Sequence, residues 1–286
     1  MARAFSFTIL ALLAFAANSL LCRMALAAGL IGPAAFTLVR LGAGAAVLLA
    51  LGALENKASR PWQGGNATSA LALLGYAALF SYAYISLDTG TGALILFAAV
   101  QMTMIAGGLL TGRRLAPPQW LGACVAMAGL AYFLAPGAAA PDALGATLMA
   151  ASGVCWGLYS LRQRRAGTAL SATGGNFLIA AMLAAPALAL ASDWSGATWT
   201  GIGLAALSGA VTSGIGYAIW YQALALIQPA VAATAQLSVP LLAAGAGIAF
   251  LDESLSWRFA IAAALVVGGI VLVLRGGGGA NATAKA

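Results

Sequence analysis

The chain has 286 residues, 63% of them hydrophobic and 7% charged, and it contains no histidine. Soluble domains carry about 25% charged residues to keep their surfaces wetted, so this composition excludes a soluble protein and reads as an integral membrane protein along almost its whole length. The net charge of +7 is scattered over short loops, which points to the positive-inside bias of a membrane protein and away from a nucleic-acid partner.

The first stretch, MARAFSFTILALLAFA followed by MALAA, resembles a signal peptide with a small-residue cleavage site. Asn18 and Arg23 fall where such a peptide would be plainly apolar, so an uncleaved first span is expected. At about 20 apolar residues per helix, ten spans are predicted. They begin near Phe5, Pro33, Ser69, Thr91, Pro117, Asp142, Ser171, Thr198, Pro229 and Trp257. The tail 276–286, GGGGANATAKA, has no apolar run and is expected to be disordered and cytoplasmic. Cys22, Cys124 and Cys155 lie in apolar runs without a CxxC, so they read as small core residues, with no disulfide or metal site.

Charge sets the expected orientation. With a cytoplasmic N-terminus, the inside segments carry Arg3, Lys57, Arg60, Arg113, Arg114, Arg162, Arg164, Arg165, Arg275 and Lys285 beside a single acid, Glu55. The outside segments carry Arg23 and Arg258 with Asp88, Asp142, Asp193, Asp252 and Glu253, and only Arg40 stays well inside a span. Both termini are therefore expected in the cytoplasm. Asn66-Ala-Thr68 and Asn281-Ala-Thr283 match the glycosylation pattern but fall on that side, where the pattern is accidental.

Shifting the chain by roughly 137 to 141 residues brings its halves into weak register. Phe15-Ala-Ala-Asn-Ser19 falls on Trp156-Gly-Leu-Tyr-Ser160, Ser81-Tyr-Ala83 on Gly216-Tyr-Ala218, and Gln119-Trp120 on Ser256-Trp257. Because each half holds an odd number of spans, the second half must enter the membrane in the opposite sense. The expected fold is all-α: ten transmembrane helices forming two inverted five-helix repeats, 1–136 and 137–275, around a central cavity. The duplication, the aromatic-small-x-polar element opening each half, and LLAAGAGIAFLDESLSW resemble the EamA-type branch of the drug/metabolite transporter superfamily, and within it bacterial aromatic amino acid exporters. The resemblance covers about residues 5 to 275. Phe15-Ala16 departs from the family's usual Trp-Gly, which Trp156-Gly157 keeps.

Polar and aromatic residues inside spans are the candidate binding groups. Pro240, about eleven residues beyond Pro229, removes a hydrogen bond near the membrane middle and is the expected hinge. Gln236 and Ser238 flank it, and Gln101 takes the matching place in the fourth span. Taken singly, such residues read equally well as interhelical glue, worth roughly 0.6 kcal/mol each. Asn18, Gln101, Tyr159 and Gln236 come from four different spans, which favours a shared cavity. Trp62, Trp120, Trp194, Trp199 and Trp257 flank span ends and read as an interfacial belt. Trp156, Tyr82, Tyr159, Tyr217 and Trp220 lie inside spans, and Tyr217, Trp220 and Tyr221 share one helix face. Aromatics above and below the midplane can stack on a flat apolar solute. The candidate substrate-binding set is thus Asn18, Tyr82, Gln101, Trp156, Tyr159, Tyr217, Trp220, Gln236 and Ser238. Gly42, Gly44, Gly107, Gly108, Gly209, Gly245 and Gly247 are expected to provide close helix contacts.

Absent residues narrow the function. Without histidine there is no Ser-His-Asp triad, HExxH zinc site or histidine-ligated haem, and no buried pair of aspartates, so no enzyme, cofactor or metal is expected. No buried carboxylate is available for proton coupling, Asp88 being the nearest candidate. Arg40 and Arg23 are too few to hold a nucleotide sugar or phosphate, and both read equally well as capping or snorkelling groups. What remains is a neutral or zwitterionic amphipathic solute. The expectation is a monomeric exporter of aromatic and other neutral amino acids and related metabolites in the bacterial inner membrane, facilitative and contacting only its solute and the lipid bilayer. The alternatives are an exporter of hydrophobic drugs or other amphipathic metabolites and, further off, a non-transporting scaffold.

Overall fold

Hydrocarbon offers no partner to a backbone N–H or C=O, so a chain this apolar closes its hydrogen bonds within helices. A computed structural model describes residues 2–55, 64–112, 114–137, 140–163, 169–190, 194–227 and 229–283. Among them every regular element is helical. The first half holds α1 (Ala2–Ala27), α2 (Pro33–Glu55), α3 (Ala67–Ala83), α4 (Thr89–Leu110) and α5 (Pro117–Leu134). The second holds α6 (Ala143–Gln163), α7 (Ala169–Leu190), α8 (Trp199–Leu207), α9 (Gly216–Leu224), α10 (Pro229–Gln236), α11 (Val239–Leu251) and α12 (Trp257–Thr283). A π-helical stretch, Ser208–Ile215, joins α8 to α9 without a break. Among the described residues seven helices are long and apolar enough to cross a membrane, and Ala67–Ala83 and Leu170–Pro186 are apolar but shorter.

Proline marks three helix starts and adjoins a break in the rod, while Pro186 lies within α7. Pro33, Pro117 and Pro229 occupy first-turn positions, where the missing N–H would have no helical partner anyway. Pro240 enters the first turn of α11. The rod breaks just before it, at Leu237 and Ser238, whose N–H groups fall back on the carbonyls of Thr234 and Ala235 at 3.1 Å each.

The helix ends meet on two faces. On the first face Arg23, near the end of α1, donates to the carbonyls of Tyr84 (3.2 Å) and Ile85 (2.9 Å), which follow α3. There too Ser86 donates to Asp142, just before α6 (2.8 Å), and Thr198, just before α8, donates to Leu30 (2.9 Å). The Gly145 N–H and then the Ser86 hydroxyl hold the Asp142 carboxyl below its usual range. On the second face the backbone of Asn66 donates to Asn176 of α7 (2.8 Å), and Gln119, early in α5, donates to Val273, late in α12 (3.0 Å). The helix α1 therefore ends where α6 begins, and α5 begins where α12 is finishing. Exchanging each helix for its counterpart in the other half also preserves the packing. The helix α3 lies on α6 as α1 lies on the α8–α9 rod, and α4 lies on α6 as α1 lies on α10 and α11. The pairs α2 with α7, α4 with α11 and α5 with α12 map onto themselves.

Charge follows the same division. Arg23, Asp88, Asp142, Asp252, Glu253 and Arg258 gather on the first face, whereas Lys57, Arg60, Trp62, Arg113, Arg164, Arg165, Asp193 and Lys285 lie outside the described residues. Trp199 and Trp257 open α8 and α12 at 88% and 86% exposure, the placement expected of interfacial rings. The tail departs from expectation. The helix α12 continues through 276–283, because extending an existing helix avoids the cost of nucleation that a separate glycine-rich helix would face.

One close backbone contact is the crossing of α5 and α12. A Cβ on Gly122 would lie 2.7 Å from the backbone N of Val273, and one on Gly269 would lie 2.5 Å from that of Ala126. Neither backbone can yield, so both positions must lack a side chain. At Gly268 a Cβ would meet nothing within 4 Å. Gly269→Leu is expected to destabilise the fold by about 1–3 kcal/mol, seen as a lower melting temperature in detergent, while Gly268→Leu leaves it unchanged.

Candidate functional site

A helix that is apolar all round is buried or faces lipid, and its polar residues show which side meets other protein or water. Many hydroxyls within these helices bond back to their own turn: Thr37 to Pro33, Thr103 to Ala99, Ser160 to Trp156 and Ser238 to Ala235, at 2.7–2.8 Å. Such groups need no partner on another helix. In the π-helical stretch Ser208 donates instead to the amide oxygen of Asn18 on α1 at 2.7 Å, and the Thr212 hydroxyl lies 3.1 Å from the same oxygen and 2.7 Å from the Ser208 carbonyl of its own turn. The wider π turn is a frequent companion of functional sites.

Asn18 lies at the edge of a cavity of about 560 Å³ between the two halves, a size suited to a small metabolite. Its centre is aromatic. Trp156 of α6 has ring centroids 4.7 Å from Tyr76, 5.3 Å from Tyr159 and 5.3 Å from Tyr217. Phe15 of α1 closes the group at 5.9 Å from Tyr217 and 5.7 Å from Trp220. Tyr221, next to Trp220, is held by a 2.6 Å hydrogen bond with Thr173. Gln101, from α4, and Gln236, from α10, add amides, and Ser19, Ser160 and Thr212 add hydroxyls. Among the described residues no lining side chain is charged.

Seven of the nine residues proposed from sequence line this cavity: Asn18, Gln101, Trp156, Tyr159, Tyr217, Trp220 and Gln236. Two stand elsewhere. Tyr82 is 43% exposed near the end of α3, and Ser238 turns back on its own helix at the break before Pro240. In place of Tyr82, α3 contributes Tyr76 and Phe80. These are four residues apart and so share a face, whereas Tyr82 lies about 240° around the helix from Tyr76. The spacing of four was the available signal. Arg40 neither caps a helix nor snorkels: it is 1% exposed, with its guanidinium packed on the Tyr76 and Phe80 rings.

Toward the second face the lining runs on to Leu224, Ile227, Ala232 and Ala233, whereas toward the first it ends at Ser19 and Phe80. Beyond Ser19, Cys22 is fully buried, and past it stands an ionic cluster. Arg23 contacts Asp88 at 3.3 Å and Glu253 at 3.4 Å. Glu253 accepts from the Thr89 N–H at 2.9 Å and from its hydroxyl at 3.0 Å. The cation thus sits on the carbonyls that end α3 and the carboxylate on the N–H that begins α4, each matching the local helix dipole. Asp252, in the left-handed region at φ 54°, stops α11 and turns Glu253 toward that position. One network ties α1, the α3–α4 turn and the α11–α12 turn together over the closed end.

The EamA-like transporter family matches the chain twice, over residues 2–135 and 143–275. A Pseudomonas aeruginosa protein, Uncharacterized protein PA1977, is 48% identical over 267 residues, covering 93% of this chain and 93% of that protein. One solved structure, a crystal structure of a protein, superposes with a TM-score of 0.68 over 94% of this chain and 96% of its own, at 22% identity. At that identity the likeness shows the fold.

Glu253→Gln removes the charge that faces Arg23 and is expected to loosen the closed end. In a Cys124→Ala, Cys155→Ala background, the remaining Cys22 should resist a maleimide in the parent and react several-fold faster in the Glu253→Gln variant. Equal labelling rates would remove the network from any closing role.

Proposed function

Because the chain belongs to the EamA-like transporter family, we propose that its central cavity carries aromatic and other neutral amino acids and related metabolites out of the cell. In this reading ten helices cross the bacterial inner membrane as two inverted halves, 1–136 and 137–275, with both termini in the cytoplasm. The second face is then the cytoplasmic one. The helices α3 and α7 cross although short, and the broken α10–α11 pair acts as one span with Pro240 at its hinge.

The observation that carries the reading is the uncharged aromatic cage around Trp156. A flat solute can lie against the surface that Trp156, Tyr76, Tyr159 and Tyr217 present to the cavity, each stacking contact contributing about 0.5–1.5 kcal/mol beyond its buried area. The amides of Asn18, Gln101 and Gln236 and the phenol hydroxyls serve the polar end, which a hydrocarbon-lined cavity would leave unpaired. The solute reaches the cage from the second face while the Arg23–Glu253 network holds the first face shut. Release requires that network to part and α10 and α11 to close over the cage. Two similar packings of inverted halves differ little in energy, so a modest differential affinity is enough to shift between them.

Coupling follows from the same lining. Among the described residues no carboxylate lines the cavity that could exchange a proton for the solute, so flux runs down the solute's own gradient. Proteoliposomes loaded with labelled tryptophan are expected to release it at the same rate with and without a pH gradient. No flux for tryptophan or phenylalanine would overturn the reading, and strict dependence on the pH gradient would overturn the uncoupled mechanism alone. Trp156→Ala should lower flux about tenfold, the combined loss of two or more ring contacts, and Gln101→Ala several-fold, both at normal folded yield. Tyr82→Ala should leave flux unchanged.

A further inference from the structure

Arg40 lies seven residues into α2 beyond Pro33, roughly 10 Å along the helix at the usual rise, and only 1% of its surface is exposed. One guanidinium nitrogen donates to the Tyr76 hydroxyl at 2.9 Å. The group packs over the Tyr76 and Phe80 rings at 5.1 and 4.9 Å. Its Nε and second terminal nitrogen are buried without a hydrogen-bond partner. The carboxylates are engaged elsewhere. Asp88 and Glu253 face Arg23, and Asp142 serves Ser86 and Gly145. Asp252 ends α11 on the first face, and the side chains of Glu55 and Asp193 lie outside the described residues.

A buried cation with one neutral acceptor and two rings is only partly compensated, and removing a charge from water costs far more than those contacts return. Tyr76 and Phe80, on whose rings it packs, both line the central cavity. A phenol oxygen that accepts from a guanidinium becomes a stronger donor through its own O–H, and that proton can be offered to the cavity. The Tyr76 hydroxyl therefore carries the influence of the charge to the cavity.

We propose that Arg40, acting through the Tyr76 hydroxyl, is the anion-recognition element of the cavity, and that the solutes of this site carry a carboxylate. The inference rests on the cavity's being the solute site, as proposed above. A carboxylate accepting from Tyr76 supplies the missing negative charge within a few ångströms of Arg40, where low dielectric strengthens the attraction. A purely cationic amphiphile would add a second positive charge at the same place. Tyr76 is the contact residue and Arg40 positions and polarises it.

Three ligands that share an indole separate the terms: tryptophan, 3-indolepropionate, which lacks the ammonium, and tryptamine, which lacks the carboxylate. Calorimetric titration of the purified full chain in detergent is expected to show the two carboxylates binding at least tenfold more tightly than tryptamine. Tyr76→Phe, which keeps the ring and removes the hydroxyl, should weaken both carboxylates about tenfold and leave tryptamine unchanged. Arg40→Lys adds a second test in which the charge is kept and its geometry lost, and partial retention of the preference is expected. Tryptamine binding as tightly as 3-indolepropionate overturns this inference while leaving the cavity as the solute site. So does a Tyr76→Phe variant that weakens all three ligands equally. Binding of none of the three overturns the aromatic-solute reading and this inference with it.

Discussion

A polar group inside the membrane has to be met by the protein, by water in a cavity, or by the solute itself. Much of this architecture follows from how each group is met. Backbone groups are closed by helices, and Thr37, Thr103 and Ser160 are closed by their own preceding turns. Helix ends on the first face are closed by side chains from other elements, notably Arg23 on the carbonyls after α3 and Glu253 on the start of α4. Asn18, Gln101 and Gln236 bring side-chain amides to the place where α1, α3, α4, α6, the α8–α9 rod and α10 converge, and there a cavity is found.

The same requirement links local geometry to motion. The π-helical stretch directs Ser208 and Thr212 to Asn18, which joins α1 to the α8–α9 rod beside the cage. The break before Pro240 separates α10, which carries Gln236, from α11, which packs on α4 and ends in the Asp252–Glu253 turn. Glycines at the α5–α12 crossing lock backbone to backbone at a distance from the cavity. In the proposed transport cycle, the α5–α12 pair would serve as the rigid part and the interrupted helix as the moving part of two rocking halves.

Much of the fold was legible in the sequence, because apolar run length and proline position act locally. Each expected start lies within three residues of an observed helix start, from Pro33 and Pro117, which match, to Ala2 in place of Phe5, while the starts of α9 at Gly216 and α11 at Val239 were not anticipated. The cage was legible where a polar or aromatic residue stood alone on an apolar helix, as with Trp156 and Gln101. It was not legible in α3, where Tyr76, Phe80 and Tyr82 compete on a helix that is apolar on every side. The repeat register drew attention to Tyr82, but packing of α3 on α6 and α7 turns Tyr76 inward. Arg40 was visible as a lone charge, yet its role depends on which rings it touches, and those come from another helix. The extension of α12 past Arg275 was missed because composition weighs each glycine alone, whereas a growing helix adds residues cooperatively.

The account turns on two exchangeable arrangements of the halves about one aromatic cage. Pulsed electron–electron resonance between spin labels at Ile85 and Leu255, both exposed on the first face, reads that exchange directly. Two distance populations are predicted, a shorter one for the closed first face and a longer one whose share changes when tryptophan is added. A single distance, the same with and without solute in the bilayer, would contradict it.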